Sequence, residues 1–568
     1  MTSRRGMRSV QKACALPVLL LACAACSLSP GGARLSTPAQ GQSQGPSGGL
    51  VPVAVTAAPL APAERCGSGF VMHALDHVTL AHSDVPHLFE SNGAGLAIND
   101  LNGDGLLDIV LANLNGPASI LWNEGNFTFR KETLPEQDTR DVNIVDVDGD
   151  GRLDIVFTHT TSSLSYWRNM GDGRFERQTL PGVRKPAYAM AWGDLRGVGS
   201  LDLVTASYDA ELAKDLGNSF LFGDGAGVFY YTHDGQAFVP QRLAPTAQTL
   251  AIALFDFTGN GQPGIVAGND FQMPDQAWAR AQDVWTGATP FTRTTESTMS
   301  FDWGDIDNSG SQVLFVTDMK PYDRSPRTLA AWMPMMVPLM KNALPQSDPQ
   351  IMENVLQVRG PDGRFRNEAY ERGIDATGWT WSAKFGDLDN DGYLDLYAVN
   401  GMIAPELFGY LPNSALVEEH QALRNDGTGH FARAPQWGLG ATASGRGMSM
   451  ADLNNDGRLD IVVNNLGSPA QLFENQLCGG ESLEVDLAWP QSFNTHGLGA
   501  RLVLHTSMGD LDRDVRAASG YLSGDPSRIH FGFLPDSTLQ RLDIQWPDGA
   551  QSSVAGPAPH TLLAVTRR

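Results

Sequence analysis

The sequence predicts an all-β protein, a seven-bladed β-propeller followed by a small C-terminal β-sandwich-like domain. A loop rich in Asp, Asn and Gly recurs seven times, and each copy follows an apolar stretch and precedes a short β-branched run. The first Asp residues of successive copies are 46, 48, 62, 49, 82 and 65 residues apart. A four-stranded propeller blade takes about 40–50 residues, so three intervals fit directly and the others contain insertions.

The composition excludes several classes of protein. The 568 residues are 42% hydrophobic, which is too apolar for a disordered chain. Lys and Arg number 40 against 63 Asp and Glu, and the net charge is −23. A surface that binds phosphate groups needs the opposite sign, so we expect no nucleic-acid partner. The acidic residues form short, regular clusters, which suggests cation sites.

Residues 1–25 resemble a bacterial lipoprotein signal peptide. Four basic residues precede the apolar segment 13–25, which is too short to span a membrane comfortably. We expect Cys26, which follows Ala-Ala, to be lipidated; Cys23 and simple secretion after ordinary cleavage are the alternatives. The predicted location is therefore an exported lipoprotein at the outer membrane, the cell surface or the periplasmic face, or else a secreted protein. A lipid anchor would be its one membrane contact.

Residues 26–65 are predicted to form a flexible tether. The segment 27–62 is rich in Ser, Pro, Gly, Gln and Ala, and Arg34 is its one charged residue. Such a segment has too few apolar side chains to fold on its own. The propeller is then expected over residues 66–480 and the C-terminal domain over residues 481–568.

Four of the seven loops carry a complete set of oxygen ligands. Side chains at positions 1, 3, 5 and 9 converge on one point, and Gly at position 6 permits the sharp turn. Hard oxygen ligands in a flexible loop suit Ca²⁺ better than Mg²⁺, so about four Ca²⁺ sites are predicted. The alternative is a set of solvated turns. The predicted ligands are Asp100, Asn102, Asp104 and Asp108; Asp146, Asp148, Asp150 and Asp154; Asp387, Asp389, Asp391 and Asp395; and Asp452, Asn454, Asp456 and Asp460.

The other three loops lack ligands. After Asp194 the ligand positions hold Arg196 and Val198, and we expect no metal there; the guanidinium group is a candidate substitute for the ion. Gly264 and Val313 replace the closing acid in the loops that begin at Asp256 and Asp305. The Asp305 loop is expected to bind a cation weakly. Because the repeat persists where the ligands do not, its primary role is to build the blade.

A second motif follows several loops and predicts hairpins. Turn residues between two apolar strands are a hairpin signal. The segments 121–127, 166–175 and 423–431 each place Asn and Gly between aromatic or aliphatic residues.

The loops resemble FG-GAP/VCBS repeats, the blade type of integrin alpha-subunit heads and of many bacterial exported proteins. The C-terminal region resembles the ASPIC/UnbV domain of the cartilage acidic protein family. The resemblance covers about residues 70–568 and implies a Ca²⁺-binding extracellular propeller followed by a small β domain, often labelled adhesion-like. The residues that carry it are 353–401, Gly497–Arg501, Gly520–Ser523, His530–Gly532 and Ile544–Gly549.

Residues 481–568 independently indicate an all-β module. Short β-rich runs alternate there with Gly, Pro and Asp turns, which predicts a compact sandwich packed on the last blade. The expected strands are Ser482–Trp489, Ala500–Thr506, Arg528–Phe533, Leu539–Trp546 and Leu562–Val565.

Other candidate sites are less specific. A zinc or copper site is conceivable at His73, His77, His82 and His87, but strand alternation is expected to separate their rings. An insertion after Asp305 contains Met319, Met333, Met335, Met336, Met340 and Met352 beside Trp332. An apolar cap or ligand groove is favoured there over copper binding, and Pro334 and Pro338 are expected to limit any regular helix.

The motifs favour a binding module over an enzyme. The sequence contains no G-x-S-x-G, H-E-x-x-H or phosphate-binding-loop motif. We therefore expect a calcium-binding adhesion or scaffold module for an unknown protein or glycan ligand. The alternative is a polysaccharide lyase or hydrolase with a site in the propeller funnel, whose catalytic residues the sequence does not identify.

A disulfide bond is predicted between Cys66 and Cys478. They are the only thiols outside the leader and the lipidation site, and export would place them where a disulfide persists. Cys66 precedes the first blade and Cys478 follows the last, and a closed propeller brings those blades together. Two unrelated buried thiols are the alternative.

Overall fold

The structure is a computed structural model in which residues 50–62, 66–217, 225–341 and 348–568 are described; it is nearly all-β. The predicted signal peptide, Cys26 and the tether up to residue 49 lie outside these residues. None of the helices in the described ranges is long and apolar enough to span a membrane.

The first two strands pair with strands from the far end of the chain. β1 (Val53–Pro59) pairs antiparallel with the final strand, Thr561–Arg567. β2 (Phe70–Val78) pairs antiparallel with Pro469–Asn475. The tether prediction is therefore wrong for residues 53–59, because backbone hydrogen bonds to the C-terminal strand compensate for their lack of large apolar side chains.

The next three sheets each have four antiparallel strands in chain order, and the Asp-rich loop joins the first strand to the second. The second sheet gains β11 (Pro186–Ala187) as an additional partner of its second strand, and helix α1 (Asp209–Leu216) interrupts the third. The strands are β3 (Leu96–Asn99), β4 (Asp108–Leu111), β5 (Ala118–Asn123) and β6 (Phe129–Leu134); β7 (Thr139–Val145), β8 (Asp154–Ser163), β9 (Ser165–Asn169) and β10 (Phe175–Thr179); and β12 (Ala189–Gly193), β13 (Asp202–Ala206), β14 (Val228–His233) and β15 (Phe238–Ala244).

Three further sheets repeat the plan with longer insertions. Between their strands lie helices α2 (Pro326–Lys341), α3 (Ala369–Arg372) and α4 (Pro405–Phe408) and short paired strands. The strands are β16 (Thr249–Phe255), β17 (Gly264–Asn269), β18 (Gln276–Ala281), β19 (Val284–Ala288), β20 (Thr294–Thr295), β21 (Ser300–Gly304), β22 (Val313–Thr317), β23 (Met319–Lys320), β24 (Gln350–Ile351), β25 (Val355–Arg359), β26 (Phe365–Asn367), β27 (Gly378–Gly386), β28 (Asp395–Asn400), β29 (Met402–Ile403), β30 (Ala415–Leu416), β31 (Gln421–Asn425) and β32 (Phe431–Arg433).

The last sheet of the repeat closes a ring. It contains β33 (Gly445–Ala451), β34 (Asp460–Asn465) and β35 (Pro469–Asn475), and β2 supplies its fourth strand. The first strand of each sheet contacts the first strand of the next, and β33 contacts β3. The predicted disulfide bond joins Cys66 to Cys478 beside this closure, with Cα atoms 5.2 Å apart. The fold is a β-propeller.

The C-terminal strands form two four-stranded sheets, ordered β1-β42-β36-β39 and β38-β37-β40-β41. Leu483 and Val485 of one sheet and Leu502 and Leu542 of the other belong to one buried apolar cluster. All five predicted strands are found within one or two residues of the expected bounds. The strands are β36 (Glu481–Ala488), β37 (Arg501–Thr506), β38 (Gly509–Asp514), β39 (Ile529–Phe533), β40 (Leu539–Gln545), β41 (Gln551–Ala555) and β42 (Thr561–Arg567).

The sequence predicted that the C-terminal domain packs on the last blade. In the structure it packs across the Asp-rich loops of several sheets. The Asn494 N–H donates to the Gly199 carbonyl oxygen at 3.1 Å, in the third sheet's loop. The Trp303 indole N–H of the fifth sheet donates to Asp514 at 3.3 Å. Because the Asp-rich loops lie at one face of the ring, a domain that covers this face contacts several of them.

Helix α2 differs from the prediction that two prolines would limit regular structure there. Pro334 and Pro338 lie inside this 16-residue helix and are exposed. The opposite face buries Trp332 and Met335 against the ring. Packing of that buried face compensates for the backbone hydrogen bonds that the two prolines cannot make.

Candidate metal sites and the axial loop

The Asp-rich loops fold through hydrogen bonds between the first Asp and the loop backbone. The Asp100 carboxylate accepts the N–H groups of Gly103 at 2.7 Å and Gly105 at 2.9 Å. Gly105 has φ +88°, a conformation that L-residues with a side chain rarely adopt. Asp108 at position 9 accepts the N–H groups of Leu101 and Asn123. The local sequence thus holds both ends of the ligand set in place.

In two complete loops the structure brings three carboxylates together. One oxygen each of Asp146, Asp148 and Asp154 lies within 4.8 Å of the others, and the same holds for Asp387, Asp389 and Asp395. Positions 1 and 9 are buried in both sets. A donor set of carboxylate oxygens alone, partly shielded from water, fits Ca²⁺. The predicted ligands at positions 1, 3 and 9 are therefore adjacent.

The other two complete loops have Asn at position 3, which lowers their charge. The Asn102 amide donates to Asp104 at 2.9 Å, and the Asn454 amide donates to Asp456 at 3.1 Å. In both loops the amide oxygen accepts the N–H of position 5. The side chains of positions 3 and 5 therefore contact each other through hydrogen bonds in both loops.

Arginine side chains lie against the outer ligands of three loops. Arg168 contacts Asp148 at 2.5 Å, Arg424 contacts Asp389 at 2.6 Å, and Arg458 contacts Asp456 at 2.7 Å. These guanidinium groups neutralise part of the loop charge, Arg168 and Arg424 from partly exposed positions and Arg458 from a buried one. The sequence analysis did not identify them, because they lie outside the loop motif or at its position 7.

Burial raises the pKa of several inner carboxyl groups. The pKa of Asp154 is raised to about 8, mainly by burial and further by Asp148 and Asp146. Burial likewise raises the pKa of Asp108 and of Asp452 to about 7. A cation among these groups would favour their charged forms, as metal ligands require.

In the loop at Asp194, the guanidinium group predicted as a candidate substitute for the ion pairs with the closing acid. Arg196 Nε lies 2.9 Å from an oxygen of the buried Asp202, the position-9 acid of that loop. The guanidinium group of Arg196 therefore compensates the charge of the Asp202 carboxylate. In a complete loop, a bound cation would compensate the charge of the acid at this position. In the loop at Asp256, the Phe257 ring occupies the space beside Gly264.

Asparagine residues at the end of the third strand link neighbouring sheets. The Asn169 amide donates to the carbonyl oxygen of Leu101 in the preceding sheet at 2.8 Å. Asn425 and Asn475 make the same bond to Ile306 and Leu388. The sequence analysis placed Asn169 and Asn425 in predicted hairpins, which is correct, but it missed their second role and did not identify Asn475. Their recurrence at one position of the repeat was the available signal.

A loop of the C-terminal domain passes through the middle of the ring. The Gly520 N–H donates to the carbonyl oxygen of Phe301 in the fifth sheet at 2.7 Å. The Gly524 N–H donates to the carbonyl oxygen of Leu96 in the first sheet at 2.9 Å. Ser382 Oγ of the sixth sheet accepts the Tyr521 N–H at 3.1 Å. We call residues 517–525 the axial loop. Contacts with the first strands of opposite sheets place it on the axis of the ring.

The axial loop leaves no room for a substrate at its own level. The Tyr521 ring packs on Trp381 with centroids 5.1 Å apart. A Cβ atom on Gly95 would lie 1.5 Å from the Leu522 carbonyl oxygen, so the inner strand approaches the loop backbone directly. The funnel site of the enzyme alternative is therefore occupied by the chain itself at this depth.

The remaining candidate residues do not form a site together. His77 is buried and bonds Ser119, His73 bonds Glu474, and His87 bonds Glu406. The rings of His73, His77 and His87 therefore contact different residues, in line with the expected separation. In the Met-rich insertion, Met319 and Met335 are buried beside Trp332, whereas Met333 is 41% exposed. The helix α2 thus covers the ring as an apolar cap.

The ring of sheets and its Asp-rich loops define a β-propeller of the FG-GAP type. The family model for the FG-GAP-like repeat matches residues 100–157, 146–205 and 418–463, and the model for ASPIC and UnbV matches residues 491–568. The chain therefore contains FG-GAP-like repeats and a C-terminal ASPIC/UnbV domain, as the sequence resemblance implied. No curated protein matches the chain significantly.

Solved structures similar to the chain include propeller domains at low identity. BBS1N in complex with ARL6DN has 9% identity and a TM-score of 0.39, covering 73% of this chain and 98% of that one. The Neurospora crassa Pan2 WD40 domain has 10% identity and a TM-score of 0.38, with coverages of 72% and 97%. The Toxoplasma gondii coronin WD40 domain has 10% identity and a TM-score of 0.37, covering 74% of this chain and 89% of that one. TM-scores of this size support no conclusion about function.

Proposed function

We propose that the protein is an exported, calcium-binding propeller that acts as a binding, adhesion or scaffold module at the cell surface. The observation that carries the proposal is the axial loop. Because this loop fills the axis of the ring, the outer faces of the ring are left for a ligand. The ligand class is a protein or a glycan. Catalysis in the funnel is not proposed, because Tyr521 and its neighbours occupy that space.

The proposed architecture has seven blades and a C-terminal β-sandwich. Seven sheets of the described chain each contain the four strands of the repeat, two of them with a fifth strand added, and β2 completes the last. The two C-terminal sheets share one apolar cluster, which supports the sandwich. An experimental structure of residues 50–568 would test both, and a different number of sheets around the ring would overturn the proposal.

Calcium is proposed at the four complete loops. Support comes from the two carboxylate groups whose oxygens lie within 4.8 Å and from the burial of positions 1 and 9. Asp146, Asp148 and Asp154 would hold one ion, and Asp387, Asp389 and Asp395 another. A bound ion would supply charge compensation and crosslink each loop, and no catalytic step is assigned to it.

Thermal unfolding with and without chelator tests the calcium proposal. A ligand that binds the folded state stabilises it by mass action, so excess chelator should lower Tm and added Ca²⁺ should restore it. Mg²⁺ at the same concentration is the control, and we expect it to restore less. An unchanged melting curve in chelator would remove the metal assignment.

Export through a lipid anchor is proposed from the leader sequence alone. Fractionation of cells that express Cys26→Ser should find the protein released from the membrane fraction, whereas Cys23→Ser should leave it bound. Release by neither variant would indicate ordinary secretion or a different anchor. Both residues lie outside the described part of the structure.

Binding to a ligand is tested most directly by a screen. The folded fragment 50–568 would be applied to glycan and surface-protein arrays in Ca²⁺ and in chelator. A ligand whose binding needs Ca²⁺ supports the module proposal. Turnover of a polysaccharide by the same fragment would overturn the choice of a binding module over an enzyme.

A further inference from the structure

The C-terminal domain binds the same main-chain group in four of the Asp-rich loops. This group is the carbonyl of the glycine at position 6, to which the sequence analysis gave a role in the turn alone. The donors come from separate parts of the domain, and a carbonyl oxygen only accepts, so each of them carries the hydrogen. They are Arg528 Nη1 to Gly105 at 3.2 Å, the Asn494 N–H to Gly199 at 3.1 Å, Arg501 Nη2 to Gly310 at 3.4 Å, and His530 Nε2 to Gly457 at 3.2 Å.

The same glycine also bonds the first Asp of its own loop. Its N–H donates to the carboxylate at position 1, which is the first predicted ligand in the complete loops, and its φ lies between +73° and +88° in all four cases. The position-6 glycine therefore joins the first ligand on one side to the C-terminal domain on the other. The bonds are Gly105 to Asp100 at 2.9 Å, Gly199 to Asp194 at 2.7 Å, Gly310 to Asp305 at 2.7 Å, and Gly457 to Asp452 at 2.6 Å.

The other two complete loops meet the domain at the first Asp itself. Thr495 Oγ1 donates a hydrogen bond to the Asp146 carboxylate. Gly532 lies so close to Asp387 that a Cβ atom on this glycine would be 2.3 Å from a carboxylate oxygen. All four complete loops therefore contact the C-terminal domain at position 1 or through the glycine that position 1 holds.

The loops differ in the cation that balances their acids. In the loop at Asp194, Arg196 pairs with the closing acid Asp202 at 2.9 Å, so a side chain of the protein supplies the positive charge permanently. In the complete loops, the converging carboxylates repel one another unless a cation lies among them. Glycine has other conformations available at little cost, so a loop that loses its cation can turn the position-6 carbonyl away from its donor.

We propose that Ca²⁺ binding in the complete loops and docking of the C-terminal domain are coupled, with the position-6 glycine as the link at Asp100 and Asp452. An ion that fixes the carboxylate of position 1 also fixes the glycine N–H bonded to it, and so directs the carbonyl at the domain. Coupling is reciprocal, so the docked domain raises the Ca²⁺ affinity of the loops. The inference rests on the proposed calcium binding. The contact at Gly199 is independent of Ca²⁺, because Arg196 replaces the ion there.

The coupling extends to the interior of the ring. The axial loop, residues 517–525, lies just before β39 in the chain, and β39 carries His530 and Gly532. A domain whose β39 is held by Ca²⁺-filled loops also holds the axial loop between the first strands of the sheets. Calcium at one face of the propeller thus stabilises the segment that fills its axis.

Hydrogen exchange followed by mass spectrometry tests the coupling in the full-length protein. In excess chelator, the amides of β39 should exchange at least about fivefold faster than in Ca²⁺. The control is β41, which is likewise an edge strand of the C-terminal domain but contributes none of these contacts. Equal exchange of β39 in Ca²⁺ and in chelator would overturn the proposal. An equal rise in β39 and β41 would also overturn it, because it would show general destabilisation.

A pair of variants tests the reciprocal effect on Ca²⁺ affinity. His530→Phe removes the bond to Gly457, in a complete loop, and keeps a ring at that position. Ser492→Ala removes a bond of 2.8 Å to Gly199, in the loop that Arg196 occupies. In calorimetric titrations, His530→Phe should weaken one Ca²⁺ site at least about fivefold, whereas Ser492→Ala should give the native isotherm. Native affinity in His530→Phe, or an equal loss in both variants, contradicts the coupling.

The outcomes separate this inference from the calcium proposal. Absence of Ca²⁺ binding by the native protein would remove both. Binding of Ca²⁺ with no change of exchange in β39 would remove the coupling and leave the calcium sites. If His530→Phe does not fold, the exchange measurement on the native protein decides, since it needs no variant.

Discussion

The Tyr521 hydroxyl group donates a hydrogen bond of 2.9 Å to the Asn92 carbonyl oxygen, which links the C-terminal domain to the segment that leads into the first sheet. The same hydroxyl lies 2.7 Å from that of Tyr188 in the third sheet. Both tyrosines are buried, so water does not replace these bonds when one is lost. The C-terminal domain therefore stabilises the interior of the ring as well as its loop face.

Tyr521→Phe should lower the free energy of unfolding by about 1–3 kcal/mol, because it leaves the buried Asn92 carbonyl group without its donor. Urea unfolding followed by fluorescence measures the change. Tyr410→Phe is the control: that hydroxyl also bonds a carbonyl oxygen, of Ala331, but Tyr410 is exposed. Equal effects of the two variants would contradict the role given to the axial loop.

Asp389→Ala should reduce the rise of Tm on calcium addition more than Asp307→Ala does. Asp389 belongs to a carboxylate group that the structure brings together, whereas the loop of Asp307 has Val313 in place of the closing acid. Both side chains are half-buried, so the comparison is matched for exposure. Differential scanning calorimetry at several Ca²⁺ concentrations gives the shift, and an equal loss in both variants would refute the ligand assignment.

Cys478→Ser should lower the free energy of unfolding by about 2–5 kcal/mol, since the disulfide bond constrains a very long loop in the unfolded chain. Reductant should destabilise the native protein and leave Cys478→Ser unaffected, which serves as the control. Mass spectrometry of an unreduced digest should find the peptides of Cys66 and Cys478 linked. Free alkylation of both thiols would show that the bond does not form.

The stability of the region around Trp332 should depend on pH through Glu418. This carboxylate accepts hydrogen bonds from the Trp379 N–H at 2.8 Å and the Trp332 indole N–H at 3.1 Å. Burial raises the pKa of Glu418 to about 7. The folded state thus holds the proton to higher pH than the unfolded state, and this contribution is present below the unfolded pKa and lost as pH rises through about 7.

Urea unfolding at pH 5 and pH 8, with calcium present, measures that dependence. Glu418→Gln should reduce the loss of stability between the two values, because the amide stays neutral at both. The loss from one such group is at most about 1.4 kcal/mol for each pH unit between the two pKa values. Glu419→Gln, a change at the exposed neighbour, should leave the dependence as it is. An identical pH profile for Glu418→Gln and the native protein would contradict the assignment.

The repeat was predictable because its determinants are local. Asp146 and Asp154 are eight residues apart, and the turn between them follows from hydrogen bonds within the loop. The hairpins after the third strands depend equally on nearby Asn and Gly residues. The ion pair of Arg196 was predictable for the same reason, since its partner Asp202 lies in the same loop.

The rest of the fold depends on contacts between distant segments, which no local pattern encodes. β1 has an ordinary linker composition, and only its pairing with β42 makes it a strand. The axial loop has no periodicity of its own, and its conformation follows from the strands that surround it. Helix α2 shows the same limit, because local proline effects were outweighed by the burial of Trp332.

The pairing of β1 with β42 has a consequence for biosynthesis. The first strand to leave the ribosome finds its partner only when the final residues of the chain have been made. Until then β1 stays unpaired, as β2 and the open edge of the ring do until β35 has been made, and such exposed edges favour aggregation. Folding that depends on contacts so far apart in sequence is also slow. A chain that loses β42 to premature termination or proteolysis therefore leaves β1 without its partner strand.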